Sequence, residues 1–486
     1  MGGSADGGLR TRIRTSPDYP RWVLITCVLG MFSTTFTATI LTVSIKVVAD
    51  DLGSTPATVA WVIVAPGLAG AVAMPILGRL GDIRGHRRVY LIGFCFALLF
   101  SVLTALAWSA ASLITFRTLG QLAGTATAPA SMAMLFKAYP PDQRLKVAGW
   151  TSGVMSVAAV SGLVIGGPMV DAFGWRPLFL IQAGLAAIGL VFAFVVLRPE
   201  GADHSLRLDR LGAVVLGFTA FALTFGVNRL PAWGVGHPVV LGAAVVFVVG
   251  LVTLPRVERH QINPVIPLEL LRERNVRYPW AASFCTGACF IGTFVVTPLL
   301  LQDIFGMSVT RTSAVTLCRT VAVTFGSFLA GSVAVRLGSR STATVAALAM
   351  TVGSLVLAVG AYGESLPLVI VGLMVSGVGS GSVQPATMAI LGNSVDARHL
   401  GLAASMQQTM MSIGSVVATS LFSAIVTGSG EQRFAFAYTL AAIGAAGCVL
   451  ATTRIDASAV GVTIGRRAEA RAARAEERAG SEPSPV

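Results

Sequence analysis

Long apolar runs separated by short connections constrain this chain more than any other feature. Segments 57–77 and 89–108 each contain about 20 mostly apolar residues, and the basic, glycine-containing segment 78–88 joins them. About 20 apolar residues in a helix are enough to span the hydrocarbon core of a bilayer. A connection this short cannot hold a soluble domain. The pattern therefore predicts two membrane helices with a tight cytoplasmic turn between them.

Composition supports a polytopic membrane protein. The chain has 486 residues, of which 54% are hydrophobic and 12% charged, and its mean hydropathy is +0.77. Soluble domains carry about 25% charged residues. The net charge of +13 would be compatible with nucleic-acid binding, but the basic residues stand at the ends of apolar runs. We therefore expect the protein to be embedded in a lipid bilayer and not to bind nucleic acid.

The spacing of the apolar runs sets the predicted topology. Lys and Arg concentrate in alternate connections, and the positive-inside rule places those connections in the cytoplasm. Both termini are then expected to be cytoplasmic, in a multi-pass protein of the plasma membrane. The runs fall at about fourteen places, namely 21–47, 57–77, 89–108, 111–136, 147–170, 176–197, 211–229, 237–254, 277–302, 311–331, 342–361, 366–392, 401–427 and 434–452.

An internal repeat divides the chain. The segment from Pro129 to Leu135 (PASMAML) recurs from Pro385 to Leu391 (PATMAIL), and an Asp-x-Arg follows each copy. The matched spacing disfavours chance repetition and predicts two parallel halves around a central site. The predicted parts are a cytoplasmic tail 1–20, a six-helix bundle 21–200, a two-helix insert with a cytoplasmic loop 201–275, a second six-helix bundle 276–455 and a cytoplasmic tail 456–486.

The segment from Gly78 to Arg88 resembles the G-x-L-x-D-x-x-G-[RK]-[RK] loop of transporters in the major facilitator superfamily. The resemblance covers about residues 20–455. It implies an all-α polytopic fold of two six-helix bundles, here with two extra helices, and a latch that stabilises one face of an alternating-access cycle. The alternative is a basic cluster that only enforces topology. The expected latch residues are Gly78, Asp82, Gly85, Arg87, Arg88 and Arg144.

Two further segments resemble the fourteen-span drug:proton antiporters of this superfamily. The first runs from Arg117 through Pro129 to Arg144 and matches the fourth-span pattern. The second is a glycine pattern in the fifth span, followed by Gly-Trp-Arg, although Leu163 stands where the antiporters have proline. Small residues at this spacing favour close helix packing. The residues expected to form that packing face are Gly162, Gly166 and Gly167.

The first span departs from the antiporter pattern. Thr37 stands where those proteins carry an acid. An arginine inside a bilayer costs roughly 2.5–3.5 kcal/mol, so it usually faces water or a partner. We therefore expect a cationic cavity suited to an anionic or polar neutral substrate, although Arg117 bonded to carbonyl groups is the structural alternative. The residues expected at this substrate and coupling cavity are Thr37, Arg117, Gln121 and Arg319.

These patterns predict a secondary transporter that exports a small amphipathic or anionic compound. The resemblance implies protons as the candidate coupling partner, but the missing first-span acid leaves the coupling ion open. No catalytic constellation or cofactor-binding motif is recognised, so neither enzymatic activity nor a cofactor is expected. An uncoupled facilitator or lipid-type carrier is one alternative, and a transporter-like sensor or scaffold is another. Gln407 and Gln408 in the thirteenth span are further candidates for lining the pathway, with helix packing as the alternative.

Overall fold

The computed structural model describes residues 5–59, 61–199, 201, 209–259, 261, 264–265, 267–426 and 432–456. Regular structure in these residues is helical throughout. Ten of the described helices are long and apolar enough to cross a membrane. The polytopic all-α architecture is therefore confirmed, while the count of fourteen spans stays a prediction.

The first part of the chain forms a bundle around its first long helix. The helices are α1 (Ala5–Thr15), α2 (Tyr19–Asp51), α3 (Pro56–Val59), α4 (Trp61–Arg84), α5 (His86–Ala105), α6 (Ala110–Gly124), α7 (Thr127–Ala138), α8 (Arg144–Phe173) and α9 (Arg176–Val196). Helix α2 packs against α8 and α9, and α5 packs against α6 and α9. We call α2 to α9 the first bundle.

A second bundle follows a helical hairpin. The hairpin helices are α10 (Arg210–Trp233) and α11 (Pro238–Arg259), and a short helix α12 (Leu268–Arg272) comes next. The second bundle comprises α13 (Arg274–Asp303), α14 (Val309–Leu337), α15 (Ser339–Tyr362), α16 (Leu366–Ser394), α17 (Leu400–Val426) and α18 (Arg433–Thr453). Helix α4 packs against α17 and α8 against α14, so these two helix pairs join the bundles.

The predicted turn at 78–88 is much shorter than its sequence indicates. Helix α4 continues to Arg84 and α5 begins at His86, so only Gly85 is outside a helix. Gly85 has φ +91°, a conformation that side chains with a Cβ rarely adopt. One glycine is thus enough to reverse the chain. The predicted tight turn is present, but the assignment of residues 78–84 and 86–88 to it was wrong.

The two copies of the internal repeat differ in structure. The predicted run 111–136 is divided between α6 and α7, because Pro129 cannot donate a hydrogen bond to the carbonyl four residues earlier. In the second copy, Pro385 lies inside the continuous helix α16. The carbonyl of Gly381, which Pro385 leaves without its helical donor, accepts a hydrogen bond from Ser327 Oγ at 3.0 Å. A neighbouring hydroxyl thus replaces the bond that proline removes.

Candidate functional site

Asp82 connects the two bundles at the end of α4. Its Oδ1 accepts a hydrogen bond from the N–H of Gly401 at 2.9 Å, and its Oδ2 accepts one from the N–H of Leu402 at 2.9 Å. These groups belong to the first turn of α17, whose N–H groups have no acceptor within the helix. A negative charge is favourable at a helix N-terminus. Asp82, which is 8% exposed, therefore caps a helix of the other bundle rather than the next helix in the chain.

Two glycines allow this close approach. A Cβ atom built on Gly78 would lie 2.6 Å from the carbonyl oxygen of Gly401, and one built on Gly401 would lie 2.6 Å from the carbonyl oxygen of Gly78. His86 packs behind the carboxylate, with its Nε2 3.5 Å from Asp82 Oδ1. The glycine pattern in this segment thus serves contact between α4 and α17 as well as the turn at Gly85.

A second contact, between Arg79 and His399, was missed in the sequence analysis. Arg79 Nη1 lies 3.1 Å from His399 Nδ1. Because guanidinium nitrogens only donate, Nδ1 must accept. Burial, with a smaller contribution from the positive charge of Arg79, lowers the pKa of His399 to about 4. The ring is therefore neutral at pH 7. The position of His399, directly after the second Asp-x-Arg, was an available signal.

Arg144 forms a third contact between the bundles. It donates to the carbonyl of Gly392 and, at 3.1 Å, to Asn393 Oδ1. It also donates to the carbonyl of Phe136 at 2.8 Å. Gly392 and Phe136 lie in the last turns of α16 and α7, where free carbonyls carry partial negative charge. Asn393 Nδ2 donates in return to the carbonyl of Pro141 at 3.2 Å.

Arg87 and Arg88, also expected in the latch, do not take part in these contacts. Arg87 is half-buried and Arg88 is exposed. Within the described ranges, neither forms a hydrogen bond or ion pair with the second bundle. Here the term latch denotes Arg79, Asp82, Arg144, Asn393 and His399. Each of these five side chains takes part in a hydrogen bond between the bundles, and all lie at the predicted cytoplasmic face.

A cavity of about 50 Å³ lies between the bundles, beyond the latch. Gln384 precedes Gly392 by eight residues and Gln407 follows Gly401 by six, which puts the cavity about 9–12 Å deeper along these helices. The described side chains that line the cavity are uncharged. They are Met31, Ala128, Pro129, Met132, Thr151, Ser152, Met155, Gln384, Met388, Ala404, Gln407 and Gln408. We call this space the central cavity.

Arg117 and Gln121 lie together inside the first bundle. They line a space of about 10 Å³ with Thr34 and Gln182, and the guanidinium carbon of Arg117 is 5.6 Å from the centre of the Phe179 ring. The described α2 residue in this space is Thr34, one turn before Thr37. Thr37 belongs to α2, but its side chain is outside the described part of the structure.

Arg319 lies inside the second bundle. It donates to the carbonyl of Phe290 at 2.9 Å, and its guanidinium carbon is 4.8 Å from the centre of the Phe290 ring. The structure therefore does not bring Arg319 together with Arg117. Neither arginine is among the residues that line the central cavity.

The fifth-span glycines belong to α8, which continues through them to Phe173. Gly162 is buried, and the environment of Gly166 and Gly167 is outside the described part. The following Trp-Arg pair joins α9 to α2, because Trp175 Nε1 donates to Asp51 Oδ2 at 3.0 Å and Arg176 pairs with the same oxygen. This pair holds the opposite end of the first bundle together.

Comparison with known proteins shows the family to which the chain belongs. A family model described as Major Facilitator Superfamily matches residues 27–317 and 279–479. The chain is 26% identical to the tetracenomycin C resistance and export protein of Streptomyces glaucescens, over 83% of this chain and 75% of that protein. It is 25% identical to multidrug resistance protein 3 of Bacillus subtilis, over 84% of this chain and 80% of that protein. The crystal structure of the human organic anion transporter MFSD10 shares the fold, with a TM-score of 0.64, 16% identity and coverage of 91% of this chain and 100% of that one.

Proposed function

Because the chain belongs to the major facilitator superfamily, we propose that it is a secondary active transporter of the plasma membrane. It exports a small amphipathic compound by alternating access, with the proton as the coupling ion. In such a cycle the bundles close alternately at one face and then at the other around a central site.

The observation that carries this proposal is the pair of hydrogen bonds from Asp82 to the start of α17. The side chain of Asp82 can cap a helix of the other bundle only when the two bundles are in contact at that face. Arg144 and Arg79 add contacts of the same kind. The arrangement matches a conformation closed at the predicted cytoplasmic face, with the central cavity behind the closure.

The relatives support export as the direction. One is named for resistance and export of tetracenomycin C, and another for multidrug resistance. The similarity extends over more than four fifths of this chain in both cases. A broad range of small organic compounds is therefore the proposed substrate class.

The test uses purified protein in liposomes loaded with a pH-sensitive dye. A gradient of a cation, an anion or a neutral amphipath is imposed, and substrate and proton movement are recorded together. Proton movement that depends on a substrate gradient is expected. Substrate movement without protons would refute proton coupling, and no movement of any compound would refute transport.

Asp82→Asn and Asp142→Asn provide matched variants for this assay. Both remove one carboxylate at the same face, but Asp142 is exposed whereas Asp82 binds α17. We expect transport to fall in the first variant and to persist in the second. Equal transport by the two would show that the contact has no part in the cycle.

A further inference from the structure

We propose that the central cavity binds uncharged amphipathic compounds that carry a hydrogen-bond donor, and that Gln407 accepts this hydrogen bond. The inference rests on the proposed transport function and specifies its substrate class. The proposed substrate class differs from the anionic compounds expected from the sequence. That expectation depended on Arg117 and Arg319, and neither arginine lines the central cavity.

The amide of Gln407 has a fixed orientation. Its Nε2 donates to Thr387 Oγ1 at 2.9 Å and to the carbonyl of Gln384 at 3.3 Å. A backbone carbonyl only accepts, so the nitrogen of this amide must face it. The oxygen is thereby directed away from these partners, although Gln407 is only 2% exposed.

Gln407 Oε1 is a buried acceptor without a hydrogen-bond donor among the described residues. A buried polar atom left in this way costs free energy relative to one that is hydrogen-bonded. Gln407 lines the central cavity, so the O–H or N–H of a bound compound can supply the missing donor. A site built around a hydrogen bond discriminates strongly against an analogue that lacks the group.

A second amide adds a donor at the same place. Gln384 Nε2 donates to Gln408 Oε1 at 3.3 Å, which leaves the Nε2 of Gln408 directed away from this bond. The Thr151 hydroxyl, by contrast, donates within its own helix to the carbonyl of Ala148 at 2.9 Å. Gln407 and Gln408 therefore present an acceptor and a donor, respectively, to a ligand.

Four methionines form the flexible part of the cavity wall. Met31, Met132, Met155 and Met388 come from both bundles. Unbranched, polarizable methionine side chains adapt to apolar groups of different shape. The observed volume of about 50 Å³ is far below the roughly 300–1,000 Å³ of ligand pockets. A substrate therefore binds after the bundles separate, with the methionines repacking around its apolar body.

The absence of charge among the described lining residues excludes strong ion binding. An ion that enters an apolar site without a counter-charge loses its hydration at a large cost. Arg117 and Arg319 are enclosed within separate bundles and do not line this cavity. A neutral compound does not incur that cost, so it is preferred over both an anion and a cation.

The test uses four probes that share one naphthalene body. They are 2-naphthylmethanol, its methyl ether, 2-naphthoate and the 2-naphthylmethyl-trimethylammonium cation. Binding to the full-length protein in nanodiscs is measured by equilibrium dialysis, with empty nanodiscs subtracted. We expect the alcohol to bind at least tenfold more tightly than the ether, and more tightly than either ion.

Gln407→Leu should reduce this preference for the alcohol over the ether to less than twofold. Gln302→Leu is the matched control, because Gln302 is exposed on α13 and does not line the cavity, and it should leave the preference unchanged. The affinities of the unmodified protein for the four probes are measured without any variant. They therefore test the proposed ligand class even if Gln407→Leu does not fold.

Several outcomes would overturn the inference. Equal affinity for the alcohol and the ether would refute the hydrogen bond to Gln407. Tighter binding of either ion than of the alcohol would refute the preference for uncharged compounds. Binding of none of the four, with transport of some other compound in the liposome assay, would overturn the inference but leave the transport function intact. No transport of any compound would instead refute the proposed function itself.

Discussion

Replacement of Asp82 by Asn tests how strongly the latch holds the bundles together. Asn keeps one side-chain acceptor, so one of the two bonds to α17, each 2.9 Å long, is lost together with the negative charge. A hydrogen bond to a charged group contributes about 1.5–3 kcal/mol, and a charge at a helix N-terminus contributes about 0.3–1 kcal/mol. The closed conformation should therefore lose about 2–4 kcal/mol relative to the open one.

This change in free energy predicts a large shift between conformations. At 1.4 kcal/mol for each factor of ten, the ratio of open to closed protein rises about 30- to 700-fold. A protein that is about 3% open before the substitution would then become roughly half open or more.

Pulsed electron–electron spin resonance can measure this ratio directly. Spin labels at positions 88 and 398 report the separation of the bundles, because Arg88 and Arg398 are exposed and belong to different bundles. The more accessible cysteines, Cys95, Cys285 and Cys318, are first replaced by serine. Asp82→Asn should add a population at longer distance.

Asp142→Asn is the control for loss of charge at the same face, and its distances should match those of the unmodified protein. If the distances of Asp82→Asn also match, the two hydrogen bonds do not determine closure. The energetic reasoning above would then be wrong.

Three other predictions concern the same face. Gly78→Ala should open the latch, because the new methyl group would lie 2.6 Å from the carbonyl oxygen of Gly401. Gly67→Ala on the same helix is the control, since its methyl group meets open space and should leave the spin-label distances unchanged. Arg144→Lys should lower the transport rate about tenfold, because the single ammonium group of lysine cannot reach acceptors at two helix ends as the guanidinium does. An unchanged transport rate in liposomes would contradict this prediction. The pKa of His399 is about 4 in the folded protein and about 6.5 in the unfolded protein. Between these two pH values the unfolded state therefore binds more protons than the folded state. The free energy of unfolding should then fall as the pH drops from 6.5 to 4. His399→Gln should flatten this dependence in thermal unfolding, and an identical pH profile would exclude the histidine as its source.

The sequence was informative wherever a local pattern determines structure. The glycine and aspartate spacing in segment 78–88 drew attention to Asp82 and Gly78, which lie at the contact between α4 and α17, and the apolar runs predicted a polytopic helical protein. The pattern could not supply the partner of Asp82, because Gly401 is 319 residues away in the chain. The extent of the turn was also misjudged, since glycines read as loop residues lie within α4 and serve close helix packing.

The sequence does not tell in which direction a side chain on a membrane helix points. Counting residues from a helix end places Arg117 and Arg319 at a similar depth, but it does not tell which side of each helix faces the pathway. The structure orients both toward the interior of their own bundles. Gln407 was considered for the pathway, but only its contacts with α16 distinguish a fixed amide with one free oxygen from an ordinary packing residue.

The latch recognises mostly the main chain of its partners. Asp82 binds two peptide N–H groups of the other bundle, Arg144 binds the carbonyl of Gly392, and Asn393 binds the carbonyl of Pro141. Such groups are present whatever side chains the partner helices carry, provided that each helix begins or ends at the same place. The substrate-binding surfaces of one half can therefore diversify during evolution without loss of the closing mechanism. The same independence makes exchange of whole halves between related transporters a practical way to combine specificities.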